Sequence, residues 1–193
     1  MKLSDKLILV DCDGVLVDWV YSFDQWMIRH GYEKLHSDEY ALDKCYGIDR
    51  AESKKLVRMF NESANVHYLP PLRDAVKYVE KLHEEHGYVF HCITSLSLDP
   101  FAIKAREANI RALFGETAFE KIICLDTGAD KDEALAPYAD SDCIWVEDKP
   151  ENAVVGANLG LDAYLIEHEH NKDFAHPMVA HVKNWKEIYE AIA

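Results

Sequence analysis

Two aspartates, Asp11 and Asp13, stand one residue apart behind the aliphatic run Leu7-Ile-Leu-Val10 and directly ahead of Gly14. The run is short, partly β-branched and flanked by polar residues, which predicts a buried strand. Alternation along a strand would send Asp11 and Asp13 to one side and Cys12 to the other. Gly14 allows the chain to turn away at once without a Cβ penalty. The pair would then sit at the carboxyl end of a strand, where open α/β sheets place their ligands. Two carboxylates this close repel, and keeping both ionised calls for a counter-charge. A hard, oxygen-seeking cation such as Mg²⁺ meets that need. One carboxylate could attack an electrophile and form a covalent intermediate, while the other shuttles a proton.

The elements that must position such a pair follow a regular alternation. Strands are predicted at Tyr88–Thr94, Ile122–Asp126, Cys143–Glu147 and Asp162–Glu167, in addition to the first. Helices are predicted from Pro71 to His86, Asp99 to Leu113, about two turns from Lys131, residues 153–159, and Asn184 to Ile192. Strands alternating with helices imply a parallel sheet covered on both faces by right-handed crossovers. Residues 19–69 break the alternation. Apolar positions 19, 20, 23, 26 and 27 follow helical spacing up to Gly31, a short helix is expected around Ser37–Cys45, and Asp49 caps a helix reaching Phe60. Pro70-Pro71 closes this helical insertion.

Three later strand ends carry polar groups suited to the same chemistry: Thr94-Ser95, the Lys131 that follows the third strand, and Glu147-Asp148. Asp-x-Asp-Gly-Val after a hydrophobic strand resembles the first motif of the haloacid dehalogenase superfamily, and these three resemble its remaining motifs in chain order. The resemblance covers about residues 5–18 and 70–167. It implies a haloacid dehalogenase-like Rossmannoid three-layer sandwich with a central parallel sheet. Residues 1–18 and 70–193 would form the core, and 19–69 a small helical C1-type cap over the site. It implies Asp11 as nucleophile, Asp13 as general acid/base, and Thr94 (with Ser95 as fallback) and Lys131 as phosphate-binding groups. Mg²⁺ would be held by Asp11, Asp148 and the backbone carbonyl of Asp13. Lys121 and Lys149 compete with Lys131 for the lysine role. A lysine opening a helix opposes the macrodipole, which favours a purpose other than helix stability for Lys131. Asn152 stands where many members carry a further acid, so the role of Glu147 and Asn152 in the outer coordination stays open.

Composition narrows the partners. The chain has 193 residues with 21 Lys and Arg against 35 Asp and Glu, a formal net charge of −14. A surface of that sign repels a nucleic-acid polymer, which is bound through arrays of Lys and Arg. A small phosphorylated metabolite remains accessible through a metal ion and a few local cations. No aliphatic run is long enough for a membrane span, and the first residues lack a signal-peptide pattern. Five scattered cysteines without a Cys-x-x-Cys pair suit a reducing compartment. The expectation is a cytoplasmic enzyme.

The segments Asp11-Cys-Asp-Gly-Val-Leu-Val-Asp-Trp19, Ile93-Thr-Ser95, Thr127-Gly-Ala-Asp-Lys131 and Glu147-Asp-Lys-Pro150 are similar to the 5'(3')-deoxyribonucleotidases, which release phosphate from deoxynucleoside monophosphates. That implies a nucleotide substrate whose base is held by aromatic cap residues. Trp19 and Phe23, just past the catalytic loop, are the expected substrate-facing rings, among a set that includes Tyr21, Trp26, Tyr40, Tyr46 and Phe60. The same rings at helical spacing would also make the core of a small lid. A sugar-phosphate phosphatase, a phosphomutase, or a non-catalytic protein retaining the fold are the alternatives. His168, His170, His176 and His181 cluster near the end without helical i, i+4 spacing, and are read as solvated loop residues rather than a metal site.

Overall fold

The computed structural model describes residues 6–36, 39 and 41–193. In chain order it contains β1 (Leu7–Val10), α1 (Trp19–Arg29), α2 (Leu42–Tyr46), α3 (Arg50–Asn61), a 3₁₀ turn (Ala64–Tyr68), α4 (Ala75–Glu84), β2 (Val89–Ser95) and α5 (Pro100–Phe114). There follow β3 (Phe119–Leu125), α6 (Asp132–Leu135), β4 (Ile144–Glu147), α7 (Pro150–Asn158), β5 (Asp162–Ile166), β6 (Val179–Val182) and α8 (Trp185–Ile192). The strands form one sheet in the order β3-β2-β1-β4-β5-β6, every pairing parallel. The chain winds outward from β1 to β3, then returns and continues from β4 to β6. The carboxyl ends of β1 and β4 therefore flank a topological switch point, where the diverging crossovers leave a crevice.

Alternation along β1 sorts the core into two layers. Ile8 and Val10 join Val79, Ile110, Phe114, Trp185 and Ile188, so α4, α5 and α8 cover one face. Leu7 and Leu9 join Trp145, Leu135 and Ala157, so α6 and α7 cover the other. This is the three-layer α/β sandwich expected from the sequence. Three expectations need correction. β6 was not foreseen: Val179–Val182 is a short four-residue run just after Pro177, and only pairing with β5 makes it a strand. The helix expected from Pro71 begins at Ala75, because Pro71 pairs with Val17 in an antiparallel bridge. The strand alternation expected to align Asp11 with Asp13 stops at Val10, and Asp13 lies in the turn beyond. Ser37, Asp38 and Tyr40 lie outside the described residues, and α2 covers Leu42–Tyr46.

The segment between β1 and α4 is helical. It leaves and rejoins the sheet through adjacent backbone, with Asp18 N donating to Pro70 O at 2.9 Å and Leu72 N to Leu16 O at 2.9 Å. Its far end is fastened to loops beyond the strand ends: Asn61 Nδ2 donates to Leu96 O at 2.9 Å, and Arg58 pairs with Asp126 at 3.0 Å. The segment thus stands at the same edge of the sheet as the aspartates. Among the described residues no helix is long and apolar enough to cross a membrane.

Close packing beneath the switch point is set by Gly156 on α7. A Cβ there would come within 2.3 Å of Cδ1 of Trp145, which is fully buried and donates from Nε1 to Asn152 O at 3.1 Å. Ala is the better helix former by about 1 kcal/mol, but forcing volume into a packed core typically costs about 1–3 kcal/mol. Gly156→Ala is therefore expected to destabilise the fold, seen as a lower urea midpoint at unchanged slope.

Candidate active site

Asp11 follows the last residue of β1 and Glu147 ends β4, so the two acids face each other across the switch point. Between them lies Lys131, the residue preceding α6. Its Nζ is 2.8 Å from Asp11 Oδ1 and 2.8 Å from Glu147 Oε2, with the lysine only 1% exposed. Burial alone would favour the neutral amine, but the two carboxylates outweigh it and leave the Lys131 pKa raised. Of the competing lysines, Lys121 is exposed on β3, and Lys149 contributes its backbone N–H to Glu147 Oε1 at 3.2 Å. Only Lys131 of the three touches Asp11.

Asp148 adds a third acid. Oxygens of Asp11, Glu147 and Asp148 lie within 4.8 Å of one another. Burial, then Glu147 and Asp11, push the Asp148 carboxyl well above its ordinary range, and burial and Asp11 raise Glu147 as well. Two buried carboxylates and the half-buried Asp148, with a single ammonium between the first two, make a site with unmet demand for positive charge. All their donors are oxygens, so the set fits a hard divalent cation such as Mg²⁺. Glu147 is already committed, accepting from Lys131, from Lys149 N and from Asn152 Nδ2 at 3.3 Å. Asp11 and Asp148 are the freer ligands. Asn152, where a further acid was a possible expectation, serves to orient Glu147.

Gly14 is required where the loop passes Asp148. It has φ +75°, and a Cβ there would lie 2.3 Å from Asp148 Oδ2, so a side chain would be strained in backbone and would displace the carboxylate.

Thr94, at 0% exposure, holds a buried hydroxyl that finds no partner among the described residues. A buried, unsatisfied hydroxyl is costly and marks a place where a ligand oxygen would be welcome. Ser95 is otherwise engaged, its Oγ donating to Ala129 O at 2.8 Å and bracing the loop that presents Lys131.

Asp13 meets a residue that sequence reasoning missed. Arg106, fully buried on α5, places Nη1 2.7 Å from Asp13 Oδ1 and Nη2 2.9 Å from Oδ2, with Nη1 also 2.8 Å from Cys12 Sγ. Burial raises the Asp13 pKa, and Arg106 opposes that rise. Asp11 and Asp13 thus each receive one buried cation, Lys131 from the α6 side and Arg106 from the α5 side. Ninety-odd residues and no local pattern separate Arg106 from Asp13 in sequence; its place mid-helix on an apolar face was the only available signal.

The rings expected to face a substrate are placed elsewhere. Phe23 is 1% exposed and Trp19 8% exposed. They stack on each other at 4.6 Å, and Phe60 meets both edge-on at 5.3 and 5.4 Å. Trp19 Nε1 donates to Asn61 Oδ1 at 2.9 Å. Both rings pack into the small core of the helical segment.

The histidine cluster is also corrected in part. His168 and His170 are not simply solvated: His168 Nε2 lies 2.7 Å from Gly14 O, and His170 Nε2 3.1 Å from Asp148 O. Asn171, 2% exposed, donates to Asp148 O at 2.7 Å and Ile166 O at 2.8 Å. The loop after β5 therefore holds the backbone of both the first and the last acidic segments. Arg73, in the left-handed region at φ 37°, secures this loop by donating to Glu167 O at 2.7 Å and Lys183 O at 2.6 Å. Contacts from side chains to carbonyls leave no periodic trace in a sequence, which is why this loop read as solvated.

Comparison with known proteins agrees with this fold. No protein-family profile matches the chain. An uncharacterized 32.4 kDa protein from the Gp30–rIII intergenic region of Enterobacteria phage T4 is 28% identical over 124 residues, covering 61% of this chain and 44% of that protein. The chain thus spans less than half the length of that curated relative. A haloacid dehalogenase-like hydrolase from Streptococcus pneumoniae superposes with TM-score 0.67 at 14% identity, over 97% of this chain and 98% of its own. CbbY from Rhodobacter sphaeroides, solved in complex with phosphate, gives 0.62 at 15% identity over 95% and 96%. The L-2-haloacid dehalogenase of Xanthobacter autotrophicus, with chloropropionic acid covalently bound, gives 0.61 at 12% identity over 97% and 98%. The chain has the haloacid dehalogenase-like fold.

The burial of His168 generates a testable pH dependence. Nε2 must carry the proton to donate to Gly14 O, while Nδ1 faces Arg73 Nη2 at 3.5 Å and is left as acceptor. Burial first, then Arg73 and His170, hold its pKa down to about 4 despite the Gly14 carbonyl and Asp18. An unfolded histidine titrates near 6.5. Between those values the unfolded chain binds the extra proton, so stability falls as pH is lowered through this window. In His168→Gln the loss of stability between about pH 7.5 and about pH 5, read from urea midpoints, should shrink by about 1–2 kcal/mol.

Proposed function

We propose that the protein is a Mg²⁺-dependent phosphate-monoester hydrolase acting through an aspartyl-phosphate on Asp11. The observation that carries the reading is the buried Asp11–Lys131–Glu147 bridge beside Asp148, at the switch point of a haloacid dehalogenase-like sheet. Asp11 would be the nucleophile, with the Lys131 ammonium 2.8 Å from its Oδ1. As its oxygen bonds to phosphorus, the ester bond breaks and the leaving alcohol takes a proton from Asp13. Water then gives a proton to Asp13 and attacks phosphorus, which releases phosphate and regenerates Asp11. Lys131 and the free Thr94 hydroxyl would stabilise charge on the phosphoryl oxygens. Asp11, Asp148 and the Asp13 carbonyl would hold Mg²⁺, which supplies Lewis-acid stabilisation of the same oxygens. The helical segment 19–69 would act as the lid that excludes bulk water and selects the leaving group, against a body of residues 1–18 and 70–193.

Dehalogenases share the fold, but hydrolysis at carbon needs neither a second acid/base beside the nucleophile nor a three-carboxylate cation site; Asp13 and Asp148 favour phosphoryl transfer. The motif likeness to 5'(3')-deoxyribonucleotidases supports a nucleoside monophosphate as substrate. The burial of Trp19 and Phe23 supports the second reading, a sugar phosphate, since it removes the expected stacking platform for a base.

Phosphate release from a panel of deoxynucleoside monophosphates and sugar phosphates, with Mg²⁺ and with EDTA, separates these readings. Release from at least one class is expected, with loss in EDTA; release that survives EDTA would remove the metal from the reading. Asp11→Asn should lower kcat by on the order of 10⁴-fold or more, as loss of a nucleophile does elsewhere. Substantial residual turnover in that variant would sink the covalent mechanism.

A further inference from the structure

Arg106 is hard to explain as a structural residue. Its side chain is fully buried, and its Nε finds no partner among the described residues. A buried ion pair is poor at stabilising a fold, and well-packed apolar residues often do as well or better in its place. The position therefore asks for another purpose, and the geometry supplies one. Nη2 donates to Asp13 Oδ2 at 2.9 Å, and Nη1 lies 2.7 Å from Oδ1, which accepts no hydrogen bond among the described residues. A directed hydrogen bond to one oxygen, with the cation held close to the other, constrains where the carboxyl group points as well as offsetting its charge.

Asp13 is in need of such fixing. It lies beyond the end of β1, in a turn whose next residue has φ +75°, so no strand ladder sets its side-chain direction. The anchor is itself rigid. α5 is capped by Asp99, which accepts from Phe101 N and Ala102 N at 2.9 Å each. One turn beyond Arg106, Asn109 Nδ2 donates to Leu69 O at 3.0 Å, tying the same face of α5 to the segment that returns from the helical insertion. The pair is also asymmetric: Arg106 is wholly enclosed, while 23% of the Asp13 side chain remains exposed. One partner is locked and the other stays reachable from the crevice.

We propose that Arg106 is a positioning residue for the hydrolysis, holding the Asp13 carboxyl group in the orientation from which it reaches first the leaving oxygen, as the acid, and then the attacking water, as the carboxylate base. The inference rests on the phosphatase reading of Asp11 and Asp13. Arg106 touches neither substrate nor phosphorus; it acts through Asp13. Two consequences separate this from a merely structural role. Displacing Asp13 should lower kcat without weakening substrate binding, and it should matter most where the departing group most needs a proton.

The test compares wild-type, Arg106→Ala and Arg106→Lys on an alkyl phosphate, β-glycerophosphate, and on p-nitrophenyl phosphate, whose leaving group departs without protonation. For Arg106→Ala the expected loss in kcat on the alkyl ester is about 100-fold, within the range of general acid–base catalysis. The loss on p-nitrophenyl phosphate should be nearer about tenfold, because only the water step still needs Asp13, with KM on both held within about threefold. Arg106→Lys keeps the charge but not the directed guanidinium contact and should fall between; it carries the comparison if the alanine variant does not fold. Equal losses on both esters, a raised KM at unchanged kcat, or wild-type rates in either variant would overturn the proposal. A crystal structure of the folded variant provides the arm independent of turnover. If the wild-type chain hydrolyses neither these esters nor any member of the nucleotide and sugar-phosphate panel, the phosphatase reading falls, and rotation of Asp13 in the variant still supports the positioning role. An Asp13 side chain that keeps its orientation without the guanidinium overturns it whatever the activity.

Discussion

The ammonium of Lys131, buried between Asp11 and Glu147, is the contact on which the site's architecture depends. It joins three chain segments that the fold delivers separately: the end of β1, the end of β4, and the loop that opens α6. Without it, two buried carboxylates would face each other across the switch point with no compensating charge, a repulsion that grows as the local dielectric falls. The surrounding bonds are arranged to keep this bridge in register. Ser95 holds the loop that carries the lysine, and Asn152 and the Lys149 N–H occupy the second oxygen of Glu147. Glu147 is in this sense the lysine's anchor more than a ligand, which leaves Asp11 and Asp148 to face the crevice.

The same constraint explains why the two layers of helices carry different chemistry. β1 is hydrogen-bonded on both edges, and the charged side chains that meet its terminal loop come from the two faces of the sheet. The α6–α7 face supplies the cation for the nucleophile candidate, and the α5 face supplies the cation for the acid/base candidate. The loop after β5 supplies no cation; His168, His170 and Asn171 direct polar atoms at the backbone carbonyls of Gly14 and Asp148. Charge is placed by helices and backbone is pinned by a loop. That division suits the physics, because a buried charge needs rigid geometry to be offset, while a carbonyl needs only one donor.

What the sequence made legible was what hydrophobic period and strand-end polarity encode. The first five strands, the parallel sheet, and the strand-end places of Asp11, Glu147 and Asp148 follow from apolar runs ending in polar residues, while Lys131 was singled out by the resemblance of its segment to a superfamily motif. What it left illegible was of three physical kinds. β6 depends on its neighbour for existence and has only four residues of its own. Arg106 reaches Asp13 across 93 positions from mid-helix, where an arginine ordinarily marks a solvated face. Trp19 and Phe23 were legible as rings but not in their packing, since the same helical spacing serves a lid core and a binding wall alike. Their burial is a tertiary outcome, settled by Phe60 arriving from α3.

That last outcome follows from size. A unit of some fifty residues has too little interior to be filled by small aliphatic side chains, and large rings bury the most area for each residue spent. Trp19, Phe23, Trp26, Tyr46 and Phe60 all fall in the buried set, and Asn61 ties their indole edge to the Leu96 carbonyl at the end of β2. The rings are thereby committed to making the helical segment rigid and to seating it on the strand ends. Discrimination among leaving groups would then fall to whatever polar and exposed side chains the segment turns toward the crevice. Under the proposed hydrolysis, shape and charge at its rim, more than stacking within it, would set the choice of substrate.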